Sequence, residues 1–219
     1  MRPALLALFV LVACSPTQDR AEILAIGDSV MAWNGNSGIP EAASRALGRP
    51  ISDESQSLAH VTHPNGLAAA TGFDITRQYD GRARDWVIAT GGGNDIRDDC
   101  ATPRAQATRD GLIGPDLTGD IPNLIARIRA TGTRVLWMGY YDGAKASPTG
   151  FTPCQPEFDI MHRRLSQLAA RDPGIVFFDA GDVINTADRG LYDRDLVHPS
   201  PRASAIIGQA IAQAIQAAE

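Results

Sequence analysis

The sequence contains no run of basic residues, and its 219 residues carry a formal charge of −5. A chain of that sign lacks the electrostatic footprint of a nucleic-acid binder, so no nucleic-acid partner is expected. Cysteine is scarce, with three in all and none at zinc-ligand spacing. His60 and His63 stand close together but have no nearby acidic or cysteine partner, so they read as loop or pocket-wall residues and no metal site is assigned. The glycine-rich stretch Gly91-Gly92-Gly93 is not followed by Lys-Ser or Lys-Thr, which excludes a P-loop. No GxGxxG opens a helix, which leaves a dinucleotide site unsupported. There is no internal repeat and no long apolar lid segment. What remains is the length and composition of one ordinary α/β domain with a sizeable core.

The amino terminus reads differently from the rest. Arg2 supplies a positive start, and Ala4 to Ala13 is almost wholly apolar. The run is too short for a mature transmembrane helix and has the shape of a signal-peptide core. It ends in Leu11-Val12-Ala13-Cys14, which resembles a bacterial lipobox, whose cysteine becomes the lipidated first residue. On that reading residues 1–13 are a leader, 14–20 a polar tether and 21–219 the folded domain. The protein would then be lipid-anchored in the cell envelope, facing the periplasm. The alternative is ordinary secretion, with Cys14 removed or free. Cys100 and Cys154 remain as an even pair, which in an exported chain suggests one disulfide. Two independent buried thiols are the other possibility.

Five apolar stretches alternate with helical patterns. Ile23 to Ile26 is an unbroken apolar run ending at Gly27, which suits a strand buried on both faces. Ser37 to Gly48 has helical spacing and a glycine stop. Ile51 to Ser57 reads as a weaker strand near a sheet edge, and Trp86 to Thr90 as a clear one. Arg97 to Gly119 reads as loop-rich, and Asp120 as the cap of the next helix, with Pro122 in its first turn. Arg134 to Gly139 and Ile175 to Phe178 are further strands, with a helix marked by Phe158, Met161, Leu165 and Leu168 between them. Tyr140 to Gln155 is a long loop that holds Cys154, and the last helix starts near Pro201 with Ser200 as its cap. The alternation predicts a three-layer α/β/α sandwich with a mostly parallel five-stranded sheet.

Polar residues gather at the predicted carboxyl ends of these strands, where open α/β sheets bind ligands. Ser29 follows the first strand, and Asn94 follows the third. Asp195 and His198 stand three apart just before the last helix. That spacing lets a carboxylate hold one imidazole nitrogen while the other acts as a base. A serine hydroxyl is a weak nucleophile until such a base takes its proton.

Gly27-Asp28-Ser29-Val30, Gly93-Asn94-Asp95 and Asp195-x-x-His198-Pro199, in this order, resemble the sequence blocks of the SGNH (GDSL) hydrolases. The resemblance spans nearly the whole chain after the leader. It implies a flavodoxin-like fold and hydrolysis of esters or thioesters with no metal or organic cofactor. It also implies roles: Ser29 as nucleophile, His198 as base and acid, Asp195 as its orienting partner. Asn94 and the Ser29 N–H would donate to the oxyanion. One block departs from the pattern. Ser57-Leu58-Ala59-His60 stands where the family's second block carries a glycine whose N–H is a third oxyanion donor, so Leu58 takes that place. Gly66 lies further along the loop. Losing one such donor typically costs about 2.7–4 kcal/mol in the transition state.

Small-molecule or glycan esters are the expected substrates, and the absence of a lid favours short acyl groups. Two other readings use the same residues. A non-catalytic lipoprotein could hold a glycan or acyl group in the crevice, and an O-acyltransferase would pass the acyl group to a sugar hydroxyl. The sequence does not set the oligomeric state.

Overall fold

The computed structural model describes residues 23–62 and 73–219. The expected leader and tether, with Cys14, lie outside the described residues, as do His63 and Gly66.

Strand β1 (Ile23–Ile26) is buried at every position, as its unbroken apolar run requires. It pairs with β2 (Ile51–Asp53) on one side and β3 (Trp86–Ala89) on the other. Strands β4 (Arg134–Gly139) and β5 (Ile175–Asp179) complete the sheet. The order is β2-β1-β3-β4-β5. Every pairing is parallel, so the expected parallel sheet is parallel throughout. Parallel neighbours need long crossovers, and helices supply them. The helices of the described residues are α1 (Ser29–Ala32), α2 (Ile39–Leu47), α3 (Ile75–Gln78), α4 (Gly93–Arg97), α5 (Ala105–Leu112), α6 (Asp120–Arg129), α7 (Gln155–Ala169) and α8 (Pro201–Ala218).

Side chains of successive strand residues point to opposite faces, and the core divides accordingly. Leu24, Ile26, Val87, Ala89, Val135 and Trp137 pack against Leu112, Leu124, Ile125, Ile128 and Leu165 of α5, α6 and α7. Ile23, Ala25, Trp86, Ile88, Leu136 and Met138 pack against Ile39, Ala43, Ile207, Ile211 and Ile215 of α2 and α8. The result is the three-layer α/β/α sandwich with flavodoxin-like strand order.

Three local expectations are corrected. Arg97 to Gly119 contains a regular helix, α5, whose buried residues are Ala105, Arg109 and Leu112. Its inner face is not wholly apolar, because Arg109 is 7 % exposed and paired with Glu157 and Asp110. The cap of α6 is Gly119 and not Asp120; the Asp120 carboxylate instead accepts from the Thr62 hydroxyl at 2.7 Å. Strand β2 stops at Asp53, and residues 54–59 run on as a loop past the end of β1.

Cys100 and Cys154 are joined by a disulfide with a Cα–Cα distance of 4.9 Å. Cys154 closes a short 3-10 turn (Thr152–Cys154) immediately before α7, and its side chain is fully buried. The bridge therefore ties the segment after α4 to the start of α7, across the loops that follow the adjacent strands β3 and β4.

Candidate active site

The chain leaves β1 toward β2 on one side and reaches β3 on the other, so the strand order reverses between β1 and β3. Crevices form at such a switch point, outside the carboxyl ends of the strands. Ser29 comes directly after β1 and Asn94 directly after β3, which brings both to this crevice. His198 arrives from the segment before α8, and all three line one cavity.

Ser29 opens the short helix α1. Asp28 caps it by accepting the Val30 N–H at 3.0 Å. The other Asp28 oxygen accepts the Tyr140 hydroxyl at 2.5 Å, and that hydroxyl accepts the Gly93 N–H at 2.9 Å. Burial pushes the Asp28 carboxyl up, against the opposing effect of its bonds from Tyr140 and Val30. Burial and the neighbouring Asp28 charge raise Tyr140 well above its ordinary value, so it stays a donor. This relay joins the turns after β1, β3 and β4 and sets the position of Ser29. The Gly27 turn is held from a further side, because the Gln78 amide accepts the Gly27 N–H and donates to the Gly27 carbonyl at 2.7 and 3.0 Å.

The Ser29 Oγ lies 2.7 Å from His198 Nε2, and His198 Nδ1 lies 2.5 Å from Asp195 Oδ2. The carboxylate accepts only, so the proton sits on Nδ1 and Nε2 is left to accept from the serine hydroxyl. Asp195 also receives the backbone N–H groups of Val197 and His198, both at 3.0 Å. Partial burial pushes its carboxyl up. The bonds from the His198 ring and these N–H groups outweigh that and hold it below the usual carboxylate range. Leu196 makes the turn possible by taking a left-handed backbone at φ 59°. The fold of Asp193 to His198 is closed by the Asp193 N–H donating to the His198 carbonyl at 2.9 Å.

Asn94 is 8 % exposed, in the first turn of α4. Its amide donates one hydrogen to the Ala59 carbonyl at 2.9 Å. The second hydrogen of that NH2 has no protein acceptor among the described residues. Asp95, next to it, accepts from Val61 N–H at 3.0 Å and Thr62 N–H at 2.7 Å. Together they clamp the loop that carries Leu58. The three glycines before Asn94 make room for protein side chains. A Cβ on Gly92, which sits at φ 102°, would meet Met161 at 2.8 Å, and one on Gly93 would meet the Tyr140 ring at 2.9 Å.

Leu58 does not line the cavity, and it is the exposed large hydrophobic residue of the described chain, at 59 %. Its backbone has φ 68°, the left-handed region that favours glycine. No acceptor of the Leu58 N–H or the Ser29 N–H is found among the described residues. His60 bonds to the Leu58 carbonyl through Nδ1 at 2.9 Å and acts as a loop residue. His162 lies between Asp179 and the Tyr140 N–H, with no hydroxyl on either ring nitrogen.

The cavity beside Ser29 has a volume of about 40 Å³, and Val30, Tyr141, Phe151, Phe158 and Val197 are among the residues that line it. Trp33 is a site residue that the sequence reading passed over. Its indole stacks on the His198 ring with centroids 3.8 Å apart and planes 9° from parallel. Nothing in the sequence around Trp33 signals a partner 165 positions away.

A model of the GDSL-like Lipase/Acylhydrolase family matches residues 25–206. No curated protein matches the chain. Among solved structures, the chain is similar to the lipase Lip_vut3 from a goat rumen metagenome (17 % identity, TM-score 0.63, covering 90 % of this chain and 97 % of that one). It is also similar to Axe2, an acetylxylan esterase from Geobacillus stearothermophilus (19 % identity, TM-score 0.61, 89 % and 94 % covered). A third is a lipolytic protein of the G-D-S-L family from Desulfitobacterium hafniense DCB-2 (14 % identity, TM-score 0.61, 89 % and 99 % covered). At these identities the likeness speaks to the shared fold.

Proposed function

This chain belongs to the GDSL-like lipase/acylhydrolase family and is an ester hydrolase, and from that premise we propose that it cleaves esters of short acyl groups through an acyl-enzyme on Ser29. The observation that carries the proposal is the unbroken chain of contacts from Ser29 Oγ through His198 to Asp195, at 2.7 and 2.5 Å.

In this reading Ser29 Oγ attacks the carbonyl carbon and its proton passes to His198 Nε2. The C=O electron pair moves to oxygen, and the oxyanion meets the Ser29 N–H and the uncommitted hydrogen of Asn94. Leu58 N–H is assigned as the third donor. Support for it comes from the left-handed backbone, which is the geometry a glycine would take there. The tetrahedral adduct collapses, the C–O bond to the alcohol breaks, and His198 returns the proton to the leaving oxygen. Water then repeats the sequence on the acyl-Ser29 ester, His198 acting again as base and acid, and the carboxylic acid departs. Asp195 stays ionised throughout and balances the imidazolium.

The short acyl preference rests on the cavity. A buried water needs about 10–15 Å³ by the same measure, so 40 Å³ suits the tail of an acetyl to butyryl group. The acetyl group of an acetylated glycan fits that size, and the similar Geobacillus stearothermophilus protein is an acetylxylan esterase. For location, the reading keeps Cys14 as a lipidated residue and the cell envelope, facing the periplasm, as the compartment.

The test is turnover of p-nitrophenyl acetate, butyrate and octanoate by the chain from Ser15 onward, beside Ser29→Ala. The expected result is a rate that falls from butyrate to octanoate, and a variant slower by about 10⁴-fold or more. Near wild-type turnover by pure Ser29→Ala protein would overturn the assignment. A folded protein inert to every ester and to fluorophosphonate would favour a non-catalytic binding role.

A further inference from the structure

We infer that Trp33 is a positioning residue for the reaction: its indole face, anchored by Asp193, fixes the His198 ring in line with Ser29 and stabilises the imidazolium that forms there. The inference rests on His198 being the base, as proposed above, and adds a residue that the three-block pattern does not contain.

The imidazole of His198 has only in-plane hydrogen bonds, to Ser29 and Asp195. Those two bonds define a line through the ring and leave rotation about that line unopposed. A flat group against one face removes this freedom. Trp33 provides it, with a 3.8 Å centroid separation and a 9° tilt. The indole is itself fixed, because Trp33 Nε1 donates to Asp193 Oδ2 at 2.7 Å. Asp193 belongs to the same turn as His198, and its N–H donates to the His198 carbonyl. The turn therefore sends a carboxylate to hold the group that covers its own histidine. Residue 34 fastens the other side of the contact: Asn34 donates to the Pro199 carbonyl at 2.8 Å and to Ser204 at 3.0 Å. These bonds join the segment after α1 to the start of α8, and so tie the turn of Ser29 to the turn of His198.

The chemistry gives the stack a second effect. When His198 takes the serine proton it becomes a cation against the electron-rich face of an indole. The attraction between a cation and an aromatic face is strongest for Trp and grows as water is removed. His198 is largely covered, with 16 % of its side chain exposed. The contact is therefore stronger in the transition state than in the resting enzyme, which is the condition for raising kcat and not merely binding.

The experiment compares Trp33→Leu, Trp33→Phe and Asp193→Ala with the wild type, with active sites counted by fluorophosphonate titration. Trp33→Leu is expected to lower kcat about tenfold with KM within about twofold. Trp33→Phe, which keeps an aromatic face, should recover most of that loss. Asp193→Ala should lower kcat less than Trp33→Leu and add nothing to it in the double variant, since both act through one contact. A second readout does not depend on catalysis. In Ser29→Ala protein, Trp33 emission should change as His198 titrates, and the change should vanish in the additional His198→Gln variant. Loss of thermal stability with unchanged kcat per active site would make Trp33 a packing residue and overturn the inference. So would a rise in KM alone, or Trp33 emission indifferent to His198. Failure of the Ser29→Ala rate test with the emission change intact would instead unseat the proposed function and leave the stack standing.

Discussion

Leu58 and Leu196 do by force what glycine does freely. Both sit at positive φ, 68° and 59°, where an L side chain meets its own carbonyl at a penalty of roughly 1–2 kcal/mol. Leu196 has a visible compensation, because its turn is what lets Asp195 face His198. Leu58 has none in packing, since its side chain is mostly exposed. Replacing it with glycine removes the backbone strain and loses little contact. The unfolded chain gains entropy, which takes back about 0.4–1 kcal/mol. Leu58→Gly is therefore expected to stabilise the protein by roughly 0.5–1 kcal/mol, a rise in Tm of about 1–4 °C. Because the N–H group is kept, kcat/KM for p-nitrophenyl acetate should stay within about twofold. A lower Tm, or a large change in rate, would show that the leucine side chain has a role its exposure conceals. At this scale the sequence was readable where chemistry needs a particular side chain. Ser29, Asn94 and His198, singled out for their functional groups, line one cavity, and Asp195 bonds to the His198 ring. Trp33 and the left-handed leucines, Leu117 at φ 65° among them, were not readable. Stacking partners lie far apart in the chain, and a left-handed leucine carries no mark that separates it from any other.

The elements were legible to the extent that burial follows the period of an apolar pattern. Strand β1 shows this at its simplest, as does α8, where Ser200 caps the first turn by accepting the Ala203 N–H and Ile207, Ile211 and Ile215 form the buried face. Helix α5 shows the limit. It buries an arginine between Glu157 and Asp110, and a charge neutralised across the fold is invisible to a one-dimensional pattern of hydrophobicity. Helix α8 carries one more element-scale feature, Gly208, in its buried face. Glycine in a helix interior weakens it relative to alanine by about 1 kcal/mol, so its presence there asks for a reason. A Cβ at Gly208 would lie 2.5 Å from the Ala42 Cβ, 2.7 Å from the Ala43 nitrogen and 2.8 Å from the Ile39 carbonyl oxygen. Two of the three are backbone atoms of α2 and cannot turn aside. The glycine is what lets α2 and α8 touch. Gly208→Ala should thus destabilise, against the trend of helix propensity, by roughly 1–2 kcal/mol. The loss of Tm is expected to be about 2–8 °C, read by thermal unfolding. Equal or higher stability would mean that the helices can part at little cost.

At the scale of the whole molecule, the domain and the amino terminus make one argument about compartment. Cys100 and Cys154 close a loop of 54 residues. In the chain-entropy model a bridge of that span stabilises by about 4 kcal/mol, a large share of the total for a single domain. Such a bond persists where the surroundings oxidise thiols and not in a reducing cytosol. It also stiffens the wall of the cavity, because Phe151 and Cys154 belong to the same turn. The proposed leader and its Leu11-Val12-Ala13-Cys14 sequence would imply the same export, and they lie more than 80 positions from Cys100 in the chain. The two features can therefore be tested together and judged apart. Full-length protein made with its own leader in a bacterium is expected to take up labelled palmitate and to sediment with membranes. Cys14→Ala should abolish the label while leaving ester hydrolysis intact. Both proteins should show Cys100 and Cys154 blocked to alkylation until a reductant is added. Reduction should then lower Tm by about 10 °C. Palmitate uptake that survives Cys14→Ala would discard the lipoprotein assignment without touching the domain. Free thiols in that protein would discard the bridge, and with it the support that the bridge lends to the proposed compartment.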